Sequence, residues 1–132
     1  MVTWIVDPES QVELWVPEYA TPESVIVRES MRRDGTLTVV RVFPEWGTES
    51  PLWVSGPDDG VIRAEPALSE ALRVALQSWV ERWRTDFDVF SGWSSAERRE
   101  SWFREGDLLA SRLQQELWDF AEIVPEFRLA AY

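Results

Sequence analysis

Carboxylates, hydroxyls and guanidinium groups are the chemical repertoire of this 132-residue sequence, which has no histidine, no cysteine and no lysine. Those three types supply most general bases, thiolate nucleophiles, Schiff-base amines and transition-metal ligands. The chemistry left open is carboxylate-only hydrolysis, in which two acids flank a glycosidic bond and their separation sets the outcome. Asp86 and Asp88, on either side of Phe87 at the predicted end of a helix, are the first pair to consider, but 24 acids make accidental pairs common. Carboxylates at a helix C-terminus oppose the helix dipole, which marks either a function or the plain end of the helix. No serine lies in a Gly-x-Ser-x-Gly elbow, and a phosphate-binding Gly-x-x-x-x-Gly-Lys loop cannot exist without lysine. Asp58-Asp59-Gly60 has the look of a calcium loop, yet the further oxygen ligands and the glutamate at position twelve are missing, so a turn is expected. The sequence therefore implies no catalytic residues, no metal site and no cofactor.

Thirteen arginines against those acids give a net charge of −11, beyond the magnitude of about 2–8 suited to a small domain. Such a chain repels a phosphate backbone, so nucleic acid is not an expected partner. The imbalance is greatest early: Asp7, Glu9, Glu13, Glu18 and Glu23 all precede the first basic residue, Arg28. This tract reads either as a solvated face or as a docking surface for a basic protein. The first residues carry neither a basic n-region nor an apolar run, and no stretch approaches the ~18 apolar residues of a membrane span. A cytoplasmic protein outside the membrane is expected, and the absence of cysteine fits a reducing compartment.

The nine tryptophans divide by context. Trp79, Trp83, Trp102 and Trp118 fall in helical sequence and read as core. Trp4 and Trp15 lie in strands with one face buried and the other open. Trp46, Trp53 and Trp93 sit beside proline, glycine or serine in predicted loops. There an indole can stack on a sugar, anchor a protein interface, or close the end of a small core.

The elements that would position these residues are an α+β set forming one domain over residues 1–132. Val2–Val6 and Gln11–Val16 flank Asp7-Pro8-Glu9-Ser10 and predict a β-hairpin. Val25–Met31 and Thr36–Phe43 flank Arg33-Asp34-Gly35 and predict a second. The strand over 36–43 is apolar or β-branched on both faces and is expected at the centre of the sheet. Residues 44–66 read as loop with a short strand at Leu52-Trp53-Val54. Ser69 caps a helix of about 18 residues whose stripe is Leu72, Leu76, Trp79, Val80, Trp83 and Phe87. Ser94-Ser95-Ala96-Glu97 has capping-box form and opens a second helix with the stripe Trp102, Gly106, Leu109, Leu113, Leu117 and Phe120. Gly106 and Ala110 would let a neighbour approach closely, or the glycine would kink the helix. Phe120–Val124 reads as a final strand. The expected fold is an antiparallel sheet of N-terminal hairpins with two C-terminal amphipathic helices on one face and a short terminal strand. Leu76, Trp83, Leu109 and Leu113 should be buried together.

From Trp46 to Val124 the chain resembles a group of small actinobacterial proteins. The resemblance rests on Pro51-Leu52-Trp53, on Leu68-Ser69-Glu70-Ala71-Leu72-Arg73, on Gly106-Asp107-Leu108-Leu109-Ala110-Ser111-Arg112-Leu113-Gln114, and on Glu116-Leu117. Such proteins are similar in size, acidity and α+β build to the immunity partners of polymorphic toxins. The missing catalytic residue types and the acidic imbalance, with that likeness, lead us to expect a non-enzymatic acidic binding protein, of immunity or inhibitor type, that sequesters a basic protein partner such as a toxin. The acidic tract, which precedes the resembling residues, supplies the expected contacts Asp7, Glu9, Glu13, Glu18 and Glu23, with Trp46, Trp53 or Trp93 as aromatic anchors. A carbohydrate-binding module built on the same three tryptophans, and a carboxylate-only hydrolase, are the alternatives.

Overall fold

The computed structural model describes residues 3–55, 67–119 and 121–130. Asp58-Asp59-Gly60 and Phe120 lie outside the described residues. The first hairpin forms as expected, with β1 (Thr3–Val6) antiparallel to β2 (Glu13–Val16). Its turn extends past Ser10: Gln11 takes φ 60° and its N–H donates to the Asp7 carbonyl at 2.9 Å.

The second expected hairpin does not form, because residues Pro22–Asp34 are a helix, α1. Thr21 and Ser24 cap it reciprocally, each backbone N–H donating to the other's hydroxyl at 3.1 Å. Pro22 has its φ preset for the first turn, and Arg32 and Arg33 favour the last. Gly35 follows at φ 71° as the left-handed C-cap. The Asp-Gly pair that resembles a hairpin turn is thus a helix stop. Only Val25 and Arg28 of this helix are buried, so its inward face includes an arginine and carries no hydrophobic stripe.

A three-stranded sheet follows in the order β4-β3-β7. β3 (Thr38–Val42) is central, as expected, antiparallel to β4 (Leu52–Ser55) and parallel to β7 (Ala121–Pro125). The sheet is therefore mixed and separate from the first hairpin, which corrects the expectation of one antiparallel sheet over residues 2–43. The parallel pair arises because the chain leaves β4, runs through both long helices and returns beside β3. Val40 and Val42 are buried, whereas Arg41 on the opposite face is exposed, so β3 is not buried twice.

Helix α2 (Glu70–Asp86) and helix α3 (Ala96–Glu116) are joined by a two-residue-a-side hairpin, β5 (Phe87–Asp88) and β6 (Gly92–Trp93). Ser69 caps α2 as expected; α3 is capped by Ser95, one residue later than the Ser94 box, its hydroxyl accepting from the Arg98 N–H at 3.1 Å. The helices are antiparallel: the Ser69 hydroxyl donates to Glu116 at 2.7 Å at one end, and Asp86 accepts from Arg98 at 2.6 Å at the other. Their stripes meet the sheet in a core that includes Leu76, Trp83, Leu109 and Leu113. A short C-terminal turn of helix, α4 (Phe127–Ala130), sends Phe127 into it.

Two indoles fix how the long helices pack. Trp79 and Trp102 stack with centroids 4.1 Å apart and planes 4° from parallel. Each buried Nε1–H donates to the other residue's carbonyl, at 3.0 and 2.8 Å. Gly106 makes room for them: a Cβ there would lie 2.8 Å from the Trp79 ring and 2.7 Å from that of Phe127. The close neighbour expected at this glycine is thus a pair of rings, not a backbone.

Candidate protein interface

The pleat gives the β1–β2 hairpin two faces, one turned to the body of the protein and one left to solvent. The register pairs Trp4 with Trp15 and Val6 with Glu13. Directly opposed residues and those two apart share a face, which places Trp4, Val6, Glu13 and Trp15 together. Trp4 is 60% and Trp15 49% exposed, and Val6 and Glu13 are exposed too. On the other face Leu14 and Val16 turn towards the body of the protein, where Val16 is buried beside the α1 side.

The hairpin stands against α3 across an open groove of ≈1130 Å³. Trp15 and Tyr19 wall one side; Leu108 and the charged Arg104, Asp107 and Arg112 line the other; Gln114, Ile123 and Pro125 also border it. A smaller recess of ≈340 Å³ shares Trp15, Tyr19, Gln114 and Ile123 and reaches Arg28 and Trp118. Tyr19 meets Trp118 edge to face, with centroids 5.5 Å apart. Arg28 lies 4.0 Å above the Trp118 ring and donates to the carbonyls of Trp118 and, at 2.7 Å, Ala121. Burial pulls its pKa below the usual arginine value. The contact fastens α1 to the end of α3 and the start of β7.

The sequence-predicted acids are placed unequally. Asp7 is wholly buried; its carboxylate accepts from the Ser10 hydroxyl at 2.6 Å and from Arg33 at 2.5 Å. The Ser10 bond first, and then Arg33, hold its pKa below the ordinary carboxylate value against the opposing effect of burial. Asp7 is thus an internal strut of the turn. Glu9 is exposed but shares Arg33 at 2.7 Å. Glu13, Glu18 and Glu23 are exposed, the last in the first turn of α1.

Of the three loop tryptophans, Trp46 alone is an exposed residue, at 44%, and its ring rests on Trp83 with centroids 4.4 Å apart. Trp53 is half-buried, stacked on Phe43 at 5.1 Å and donating its Nε1–H to the Phe43 carbonyl at 3.0 Å. Trp93 is half-buried among Phe87, Trp102 and Phe103. Trp53 and Trp93 thus pack on the body, so the three do not form one open platform. The acid pair is occupied as well: Asp86 holds Arg98, and Asp88 accepts from the N–H groups of Phe90 and Ser91 at 2.8 and 3.0 Å, bonds that lower its pKa. Among the described residues no group of three acids is placed to hold a metal ion, and no helix is long and apolar enough to cross a membrane.

Sequence reasoning missed the groove, and it gave these strands one open face but did not say that Trp4 and Trp15 lie on it. Its signal was present in the alternation of Trp4 with Val6 and of Glu13 with Trp15, large apolar groups on a hairpin that no other sheet covers.

The arrangement defines a class: a small α+β protein with a closed aromatic interior, an acidic and partly aromatic exterior, and a broad open groove. Residues 38–124 match the model of the Serratia CdiI immunity protein-like family, and the chain belongs to that family. The match opens at the first residue of β3 and ends within β7. No curated protein and no solved structure matches the chain.

Proposed function

We propose that this chain, folding as a single domain, is a cytoplasmic immunity protein that neutralises a basic toxin by binding it, without catalysis of its own. The observation that carries this reading is family membership across residues 38–124. The charge of −11 supports a cationic partner, since a field of that sign accelerates encounter with a basic surface by roughly 10–10³-fold at low salt. Glu9, Glu13, Glu18 and Glu23 supply the outer rim of that field, and Trp46 offers an exposed indole in the family-matched half. Lack of histidine, cysteine and lysine leaves binding as the economical mode of action.

The test is to express the toxin-like product of the adjacent gene with and without this chain. Survival only when both are present, with a purified complex whose association slows as salt rises, is the expected result. Toxicity unaltered by the chain would end the immunity reading; protection with salt-independent association would end the electrostatic part of it.

A further inference from the structure

Resting on the immunity reading, we infer that the open face of the β1–β2 hairpin is the docking surface for the toxin, and that it takes a cationic segment whose arginine or lysine side chains lie over Trp4 and Trp15. Exposed tryptophan offers a large rigid contact area and is enriched among residues that dominate interface energies. Here two indoles stand opposite one another in register, with Val6 and Glu13 as the next pair on the same face. An indole attracts a cation through its ring face, and a carboxylate close by completes the contact.

The charge around the face selects the occupant. From Thr3 to Val27 the chain carries five acids and no basic residue, and Arg33, which reaches in from the end of α1, is held by Asp7 and Glu9. A second copy docked through the same face would set Glu13 near Glu13 on a face whose own four residues include no cation, Arg104 and Arg112 lying across the groove on α3. A basic segment laid on the hairpin meets Glu13 and no cation among the four residues of that face. The hairpin also precedes the family-matched residues, so this surface is separate from the scaffold that the match describes.

Binding of the purified adjacent-gene toxin domain would be measured for the native chain, for the Trp4→Ser, Trp15→Ser double variant, for Glu13→Arg and for Trp46→Ser. Thermal melts would check that each variant is folded. The double variant is expected to bind about 30-fold more weakly or worse, mainly through faster dissociation. Glu13→Arg should slow association and flatten its salt dependence, and Trp46→Ser should change affinity less than the double variant. A folded double variant that binds like the native chain overturns the inference while leaving the immunity reading standing. Should the toxin domain not bind the native chain at all, the immunity reading fails, and a peptide alternating arginine with alanine decides the surface alone. Its addition should shift the indole N–H signals of Trp4 and Trp15 and spare those of Trp79 and Trp102; unmoved hairpin signals overturn the inference. Self-association abolished by the double variant would overturn it too, by naming a second copy as occupant.

Discussion

The tryptophans of the helical half and those of the N-terminal hairpin have opposite surroundings. Trp79, Trp83 and Trp102 are essentially inaccessible, and Trp79 and Trp102 have both satisfied N–H groups and stacked rings. Trp4 and Trp15 lie on the exposed face of a two-stranded hairpin. One set holds the fold together; the other costs the free protein little if removed. The same residue type is therefore buried in one region and left at the surface in the other, and what packs against its face distinguishes the two.

The sharpest way to break this contrast is to shorten one tryptophan from each set. Trp102→Ala should lose about 3–5 kcal/mol by transfer and cavity effects, while Trp4→Ala should stay within about 0.5 kcal/mol as an exposed change. Denaturant titration measures both, and equal losses would erase the distinction.

Arg28→Met tests the joint between the halves. The buried guanidinium's bonds to two carbonyls are of the charged kind, so roughly 2–3 kcal/mol should be lost. Because the contact joins α1 to β7, the variant should also release amide-exchange protection in α1 before that in α2. Uniform loss would mean that the N-terminal part is held by other contacts.

Gly106→Ala probes the interior alone. Alanine improves helix propensity by about 1 kcal/mol, but its methyl group would meet the rings of Trp79 and Phe127, and overpacking costs about 1–3 kcal/mol. A net loss of about 1 kcal/mol is expected; a gain in stability would show that the rings have room to move.

The smallest effect belongs to the hairpin turn and depends on pH. Asp7 has a lowered pKa in the folded protein, through Ser10 and then Arg33. Its stabilising contribution is present above the unfolded carboxylate value of about 3.9 and fades as pH falls through the lower folded value. Melts of the native chain and of Asp7→Asn should differ at neutral pH, the difference shrinking progressively as pH falls below about 4. A difference that persists in acid would mean that the asparagine perturbs the turn sterically, independent of charge.

These regions also differ in how readily they are read from sequence. The stripes of α2 and α3 were legible because Leu72, Leu76, Trp79 and Val80, and then Trp102, Leu109 and Leu113, recur at helical spacing and are buried in the structure. The centrality of β3 was legible from its β-branched run. Helix α1 was not: Val25, Ile26 and Val27 have strand propensity, and one of its two buried residues is an arginine, so periodicity carried no helical signal. Its capping residues, Thr21 and Gly35, were the better guide. The early acids Glu9, Glu13, Glu18 and Glu23 do lie at the surface, but Asp7 is inside, because a carboxylate three residues before Ser10 folds back on its own turn. The groove has no local signature, since it depends on where the hairpin settles relative to α3.

Gln114, which borders that groove, presents both halves of its amide to β7. Its Nε2 donates to the Ala121 carbonyl, and its Oε1 accepts from the Ile123 N–H, each at 3.0 Å. A side chain here behaves as one residue of a missing fourth strand. Strand edges left open invite addition of foreign chains and ordered aggregation; this one is stoppered along part of its length by a group that cannot propagate the ladder. Gln114 thus keeps part of the outer edge of β7 from serving as a template for another copy of the chain.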